Sequence, residues 1–221
     1  MKKRKQVFIF IGPPGSGKGT QAELLVREFK IKALSGGAIF RDHMARKTTL
    51  GKQVRKYMDK GHLVPDEIVT KMMLNSIRRA RQPVILDGYP RNLTQARSLD
   101  AFFQKQEGKY LPIVIKFDLS AKDVFERISG RYTCSCGEIF HVKFRPPAQK
   151  EICDSCKKKL KKRSDASPAI VKERMVIYKK KTAPILKIYK NNKQYKLYKA
   201  GGKKTIEQVY SEVKKIAKKF L

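Results

Sequence analysis

The stretch GPPGSGKGT, Gly12 to Thr20, follows directly on the apolar run Val7–Ile11. Glycines at 12, 15, 17 and 19 leave the backbone open, so successive N–H groups can turn toward phosphate oxygens. An amphipathic stretch, Lys18–Phe29, begins at once and predicts a helix whose positive end would face the same anion. Lys18 has the reach to meet terminal phosphates. The spacing nearly fits the phosphate-cradling pattern G-x-x-x-x-G-K-[ST], in which the last hydroxyl holds Mg²⁺. Gly19 stands where that hydroxyl should be, and Thr20 supplies one a residue later.

The cysteines form a second constellation: Cys134-x-Cys136, sixteen intervening residues, then Cys153-x-x-Cys156. Two close pairs read as a tetrahedral structural Zn²⁺ site with no open position for catalysis. Four unrelated thiols are the plainer alternative. A C-x-C pair makes a tight chelate, so His141 or Asp154 is a candidate substitute for one sulfur. The N-terminal MKKRKQVFIFI imitates an export signal, but its apolar part is short and runs straight into the glycine loop. A cytoplasmic chain is therefore expected, in which disulfides are disfavoured.

An α/β parallel sheet flanked by helices would position these groups. Buried strands are expected at Val7–Ile11, Pro83–Leu86, Ile113–Leu119 and Tyr195–Lys199. Helices are expected over Glu67–Arg81, Thr94–Gln106, Ala121–Ser129, Ala169–Asn191 and Thr205–Phe220. Ser35–Val64 reads as a small helical insert, and Gly130–Ala166, with every cysteine, as a second. The expected division is a core of residues 1–34, 65–129 and 167–221 with inserts at 35–64 and 130–166.

The chain has 221 residues, 52 basic against 19 acidic, for a formal net charge of +33. Such an excess suits either a nucleic acid or a lysine-rich solvated surface around an anionic small substrate. The scatter of the lysines favours the second. No apolar run reaches the eighteen or so residues of a membrane helix, so neither a membrane nor a specific nucleic acid is expected as partner.

GPPGSGKGTQA resembles the loop of the nucleoside monophosphate kinases, and adenylate kinases in particular, where Lys-Gly-Thr is common. ILDGYPRNLTQA (Ile85–Ala96), ALSGGAIFR (Ala33–Arg41), GHLVPDE (Gly61–Glu67), ERISGR (Glu126–Arg131), KRSDASPAIVKER (Lys162–Arg174) and GGKK (Gly201–Lys204) follow in the family's order. The likeness covers about residues 5 to 220. It implies a P-loop sheet with two mobile inserts, one binding the acceptor and one a zinc-bearing lid. It also implies a monomer that moves a phosphoryl group reversibly from ATP to AMP, giving two ADP, with Mg²⁺ on the ATP.

The resemblance further implies roles. Gly15, Ser16, Gly17, Lys18, Gly19, Thr20, Arg127 and Lys203 would hold ATP. Gly36, Arg41, Leu63, Val64, Gly88, Arg91, Gln95, Arg163 and Arg174 would hold AMP. Lys18, Arg91, Arg131, Arg163 and Arg174 would stabilise the transferring phosphates, and Asp87 would organise waters on Mg²⁺. Cys134, Cys136, Cys153 and Cys156 would hold Zn²⁺. Gly36 replaces the family's usual Thr, Ala38 its Asp, and Ala166 a common acid. UMP, CMP or GMP as acceptor is therefore an alternative. A different class, a basic zinc protein binding RNA, predicts aromatics among the basic residues of the cysteine segment. Tyr132, Phe140 and Phe144 are there, and serve equally as a small core.

Overall fold

The computed structural model describes residues 4–58, 64–136, 138–162, 167–202 and 204–221. The leading run forms β1 (Lys5–Ile11), buried on both faces as a central parallel strand must be. Its side chains alternate: Val7, Ile9 and Ile11 enter one apolar cluster, Phe8 and Phe10 another on the opposite face. After the glycine loop comes α1 (Lys18–Glu28), then β2 (Lys32–Ser35), α2 (Gly36–Ala45) and α3 (Thr49–Met58). Next are α4 (Asp66–Arg79), β3 (Val84–Asp87), α5 (Leu93–Gln104), β4 (Tyr110–Asp118) and α6 (Ala121–Ser129).

Three short strands follow, β5 (Arg131–Thr133), β6 (Ile139–His141) and β7 (Lys161–Lys162), forming a small antiparallel sheet in the order β6-β5-β7. The chain returns through α7 (Pro168–Ile177), α8 (Ile185–Asn191), β8 (Lys196–Gly201) and α9 (Ile206–Lys218). The main sheet has five parallel strands in the order β2-β3-β1-β4-β8. From β1 the chain first winds outward to β2 and then crosses to β4. The strand order therefore reverses at β1, and a crevice opens there beyond the carboxyl ends of the strands, the usual ligand position in such sheets.

Local chemistry sets several helix starts. Ser35, Asn92, Ser120 and Ser167 each accept a backbone N–H at the head of α2, α5, α6 and α7. Thr205 and Gln208 form a reciprocal capping box on α9.

Two elements depart from the sequence expectation. The helix expected over Ala169–Asn191 is broken: α7 and α8 are separated by a π turn at Tyr178–Thr182. Pro184 has no N–H to continue the ladder, and Ala183 N–H instead reaches back to Tyr178 O at 2.8 Å. Thr182 Oγ1 then donates to Arg91 O at 2.7 Å, which ties this turn to the loop after β3. The strand β2 had no sequence signal, because only Leu34 of its four residues is buried. Among the described residues no helix is long and apolar enough to cross a membrane.

Candidate active site

The glycine loop joins the carboxyl end of β1 to α1. Gly15 and Gly17 have φ of +78° and +87°, a conformation that L side chains rarely adopt. No side chain caps α1 and no acid lies in its first turn, so its leading N–H groups and its positive end remain available to an anion. Lys18 Nζ folds back over the loop, donating to Gly12 O (2.8 Å), Pro13 O (2.9 Å) and Ser16 Oγ (3.1 Å). Burial pushes the Lys18 ammonium down to about 8; Arg131, Arg91 and Arg174 push the same way and Asp87 opposes them. One carboxylate and three guanidiniums thus act on Lys18 at the switch point of the sheet.

Asp87 ends β3. Burial raises its carboxyl above the usual range, while Lys18 and Arg91 pull it down. A Cβ on Gly19 would lie 3.4 Å from Asp87 Oδ2, so the carboxylate fronts the loop where the usual hydroxyl is missing. Arg91 Nε donates to Gly88 O at 2.8 Å.

Gln95 is buried at the head of α5. Its Oε1 accepts from Arg91 N at 2.8 Å, and its Nε2 donates to Asp66 Oδ1 at 2.6 Å. In the sequence Asp66 is only part of GHLVPDE, and no spacing pairs it with a residue twenty-nine positions on. Val64 is half-buried against the larger apolar cluster, as is Phe40 of α2. Arg41 lies on α2, its Nη1 3.3 Å from where a Cβ on Gly37 would stand. A Cβ on Gly36 would meet Phe40 Cζ at 3.9 Å, an ordinary contact, so a small side chain would fit there without a clash.

On the other flank, Arg127 Nη2 donates to Gly202 O (3.2 Å) and Lys204 O (3.1 Å), joining α6 to the loop between β8 and α9. Its guanidinium also lies 5.4 Å from the Phe144 ring. Leu63, Arg163 and Lys203, the remaining expected site residues, lie outside the described residues, as do Asp165 and Ala166.

The sulfurs of Cys134, Cys136, Cys153 and Cys156 all lie within 4.8 Å of one another. Cys134 and Cys156 are 3.2 Å apart, Cys136 and Cys153 3.6 Å. Tetrahedral Zn²⁺ with bonds of about 2.3 Å places its sulfurs about 3.8 Å apart, so the set fits this metal. Neither candidate substitute is needed. His141 Nδ1 accepts from Lys143 N (3.0 Å) and Phe144 N (3.2 Å), and Asp154 Oδ1 accepts from Ala148 N (2.9 Å). Phe140 and Leu160 are buried with the cysteines, and Tyr132 packs against them. Two of the three aromatics thus build the core of this segment.

A family model for adenylate kinase matches residues 10–194. The chain belongs to the adenylate kinase family. An adenylate kinase of Thermoanaerobacter sp. (strain X514) is 40% identical over 210 residues, 94% of this chain and 95% of the relative. Adenylate kinases of two other organisms are similar over 96% of this chain and 99% of their own length. That of Methanosarcina barkeri (strain Fusaro / DSM 804) is 39% identical and that of Methanocella arvoryzae (strain DSM 22066 / NBRC 105507 / MRE50) 38%. As a member of the adenylate kinase family the chain is a nucleotide-binding phosphotransferase.

Proposed function

We propose that the chain transfers a phosphoryl group directly from ATP to AMP, giving two ADP, by electrostatic stabilisation without a general base. The observation that carries this reading is the convergence of Asp87, Arg91, Arg131 and Arg174 on Lys18 at an open glycine loop. The nucleophile is a phosphate oxygen, already ionised near neutrality, so no proton need be removed. The obstacle is repulsion between polyanions and charge spread over the in-line transition state. Planar guanidinium forks bind such oxygens bidentately, and their charge counts for most where water is excluded.

In this reading the loop N–H groups, Ser16, Lys18 and Thr20 hold the ATP phosphates, and Arg127 and Lys203 its nucleoside end. Gly36, Arg41, Leu63, Val64, Gly88 and Gln95 seat the acceptor. Arg91, Arg131, Arg163 and Arg174 span the transfer path. Asp87 and Thr20 are the residues that would hold Mg²⁺, Asp87 through water. When bound with ATP, the ion neutralises phosphate charge. Closure of inserts 35–64 and 130–166 would exclude water and so prevent hydrolysis. Zn²⁺ on the four cysteines would staple the second insert, which has few apolar residues of its own.

The test is an initial-rate assay of ATP and Mg²⁺ with AMP, CMP, UMP and GMP in parallel, on the native chain and on Lys18→Ala. AMP-dependent ADP formation is expected, with a loss on the order of a thousandfold in the variant. No AMP-dependent ADP, or full activity without Lys18, overturns the reading.

A further inference from the structure

Asp66, at the first position of α4, holds two side chains from the head of α5. Its Oδ1 accepts from Gln95 Nε2 at 2.6 Å and its Oδ2 from Asn92 Nδ2 at 2.7 Å. Asn92 Oδ1 in turn accepts from Gln95 N at 2.9 Å. Gln95 Oε1 accepts from Arg91 N at 2.8 Å. The arrangement is a closed ring of donors and acceptors, and it decides which way round the Gln95 amide stands. A carboxylate accepts only, so the nitrogen must face Asp66. A backbone N–H donates only, so the oxygen must face Arg91. Turning the amide over would set its oxygen against a carboxylate and its NH₂ against an N–H, leaving buried polar groups unpaired.

We infer that Asp66 is a specificity-determining positioning residue: it locks the Gln95 amide so that the site accepts amino bases and rejects keto bases. This rests on the reading, given above, that Gln95 meets the acceptor base. Each amide atom uses one of its two hydrogen-bonding positions within the ring, leaving one N–H donor and one acceptor for a ligand. Adenine presents an amino donor beside a ring-nitrogen acceptor, and cytosine presents the same pair. Hypoxanthine, guanine and uracil present a keto acceptor beside a ring N–H donor, which only the overturned amide could meet. Gly36 and Ala38, the departures on the acceptor side, leave this lock intact, because none of its atoms belongs to them. Ring size, not the amide, must separate adenine from cytosine.

The decisive comparison uses acceptors of equal ring size: AMP against IMP, and CMP against UMP, with ATP and Mg²⁺. AMP and IMP differ only at the edge in question. The native chain is expected to show kcat/KM at least about a hundredfold higher for AMP than for IMP, as sites built to pair a polar edge reject its opposite strongly. CMP should exceed UMP. In Asp66→Asn the new amide can turn either end toward Gln95. The AMP:IMP ratio is then expected to fall at least about tenfold, mainly through the acceptor KM, with the KM for ATP unchanged. Asp66→Glu, which keeps an acceptor-only group, should retain more of the preference than Asp66→Asn.

Equal loss toward all four acceptors in Asp66→Asn would show a merely structural role and overturn the inference. If that variant melts far below the native chain, the native ratios decide: IMP equal to AMP, or UMP above CMP, overturns it. A native chain that uses AMP but shows either result sinks this inference alone. A native chain that uses no monophosphate sinks the proposed function and this inference with it.

Discussion

A Cβ on Gly19 would stand 3.4 Å from Oδ2 of Asp87, at ordinary contact distance. Glycine at this position keeps the space in front of the carboxylate clear, and in the proposed mechanism Asp87 would use that space to reach Mg²⁺ through water. Gly19 lies within the first turn of α1, where alanine is the better helix former by about 1 kcal/mol.

Gly19→Ala should therefore separate stability from activity. The melting midpoint is expected to hold or rise by about 2–4 °C, the shift that about 1 kcal/mol brings in a chain of this size. The rate should fall roughly ten- to hundredfold as the reacting groups lose their positions, and the Mg²⁺ concentration for half-maximal rate should rise. Thermal melts and Mg²⁺-titrated initial rates check both arms. An unchanged rate at every Mg²⁺ concentration would show that the gap beside Asp87 has no such use.

The second prediction concerns protons. Lys18 is held at about 8 over the glycine loop, chiefly by burial, against an ordinary value of 10.5. Its charge therefore weakens the folded state below pH 8, and that cost is relieved as the pH rises from 8 toward 10.5. Bound polyphosphate favours the charged form and raises the value again. ATP binding should take up about half a proton per site at pH 8 and almost none from this group at pH 6.5. Calorimetry in buffers of different ionisation enthalpy measures the uptake directly, and Lys18→Met should abolish it. Equal uptake in that variant would assign the proton elsewhere.

The phosphate loop, β1, β3, β4 and the helices α1, α4, α5, α6 and α9 were legible because each carries a local pattern: an apolar run, a glycine spacing, an apolar helical face. The four-cysteine cluster was legible for the same reason, and its closure without His141 or Asp154 answers the doubt raised by the C-x-C spacing. The strand β2 was not, since an edge strand that buries only Leu34 has no hydrophobic period to detect. The break between α7 and α8 was marked by Pro184, yet the apolar stretches on either side of Tyr178–Thr182 read as one helix and hide the turn. Asp66 was silent because its meaning lies in Gln95 and Asn92, brought to it from another helix. Thr182 on Arg91 O is silent in the same way, across ninety-one positions.

The last prediction turns on the cysteines. Cys134 and Cys153 are buried, whereas Cys136 is exposed, so one corner of the site faces solvent. Hydrogen bonds from the Cys136 backbone and the Cys156 thiol hold the Cys134 thiol below its ordinary range, whereas the Cys136 and Cys156 thiols are held above theirs, so Zn²⁺ must displace protons to gain these two thiolates. Among the described residues, this small core consists of Phe140, Leu160 and Tyr132 with Cys134, Cys153 and Cys156. Without the metal, the segment keeps little to hold it together. Native protein should carry one zinc per chain by elemental analysis. Stripping it with a strong chelator should lower the melting midpoint by roughly 5–10 °C, at about 2–4 °C for each kcal/mol lost. Cys136→Ser should bind zinc at least about tenfold more weakly, because three sulfurs remain and the exposed corner is the easiest to open. Stripping the metal from it should then lower the midpoint by about 3–5 °C less than in the native chain, since tenfold weaker binding is about 1.4 kcal/mol less stabilisation. A zinc-free chain that melts like the native one would show that the four cysteines are not the staple of this segment.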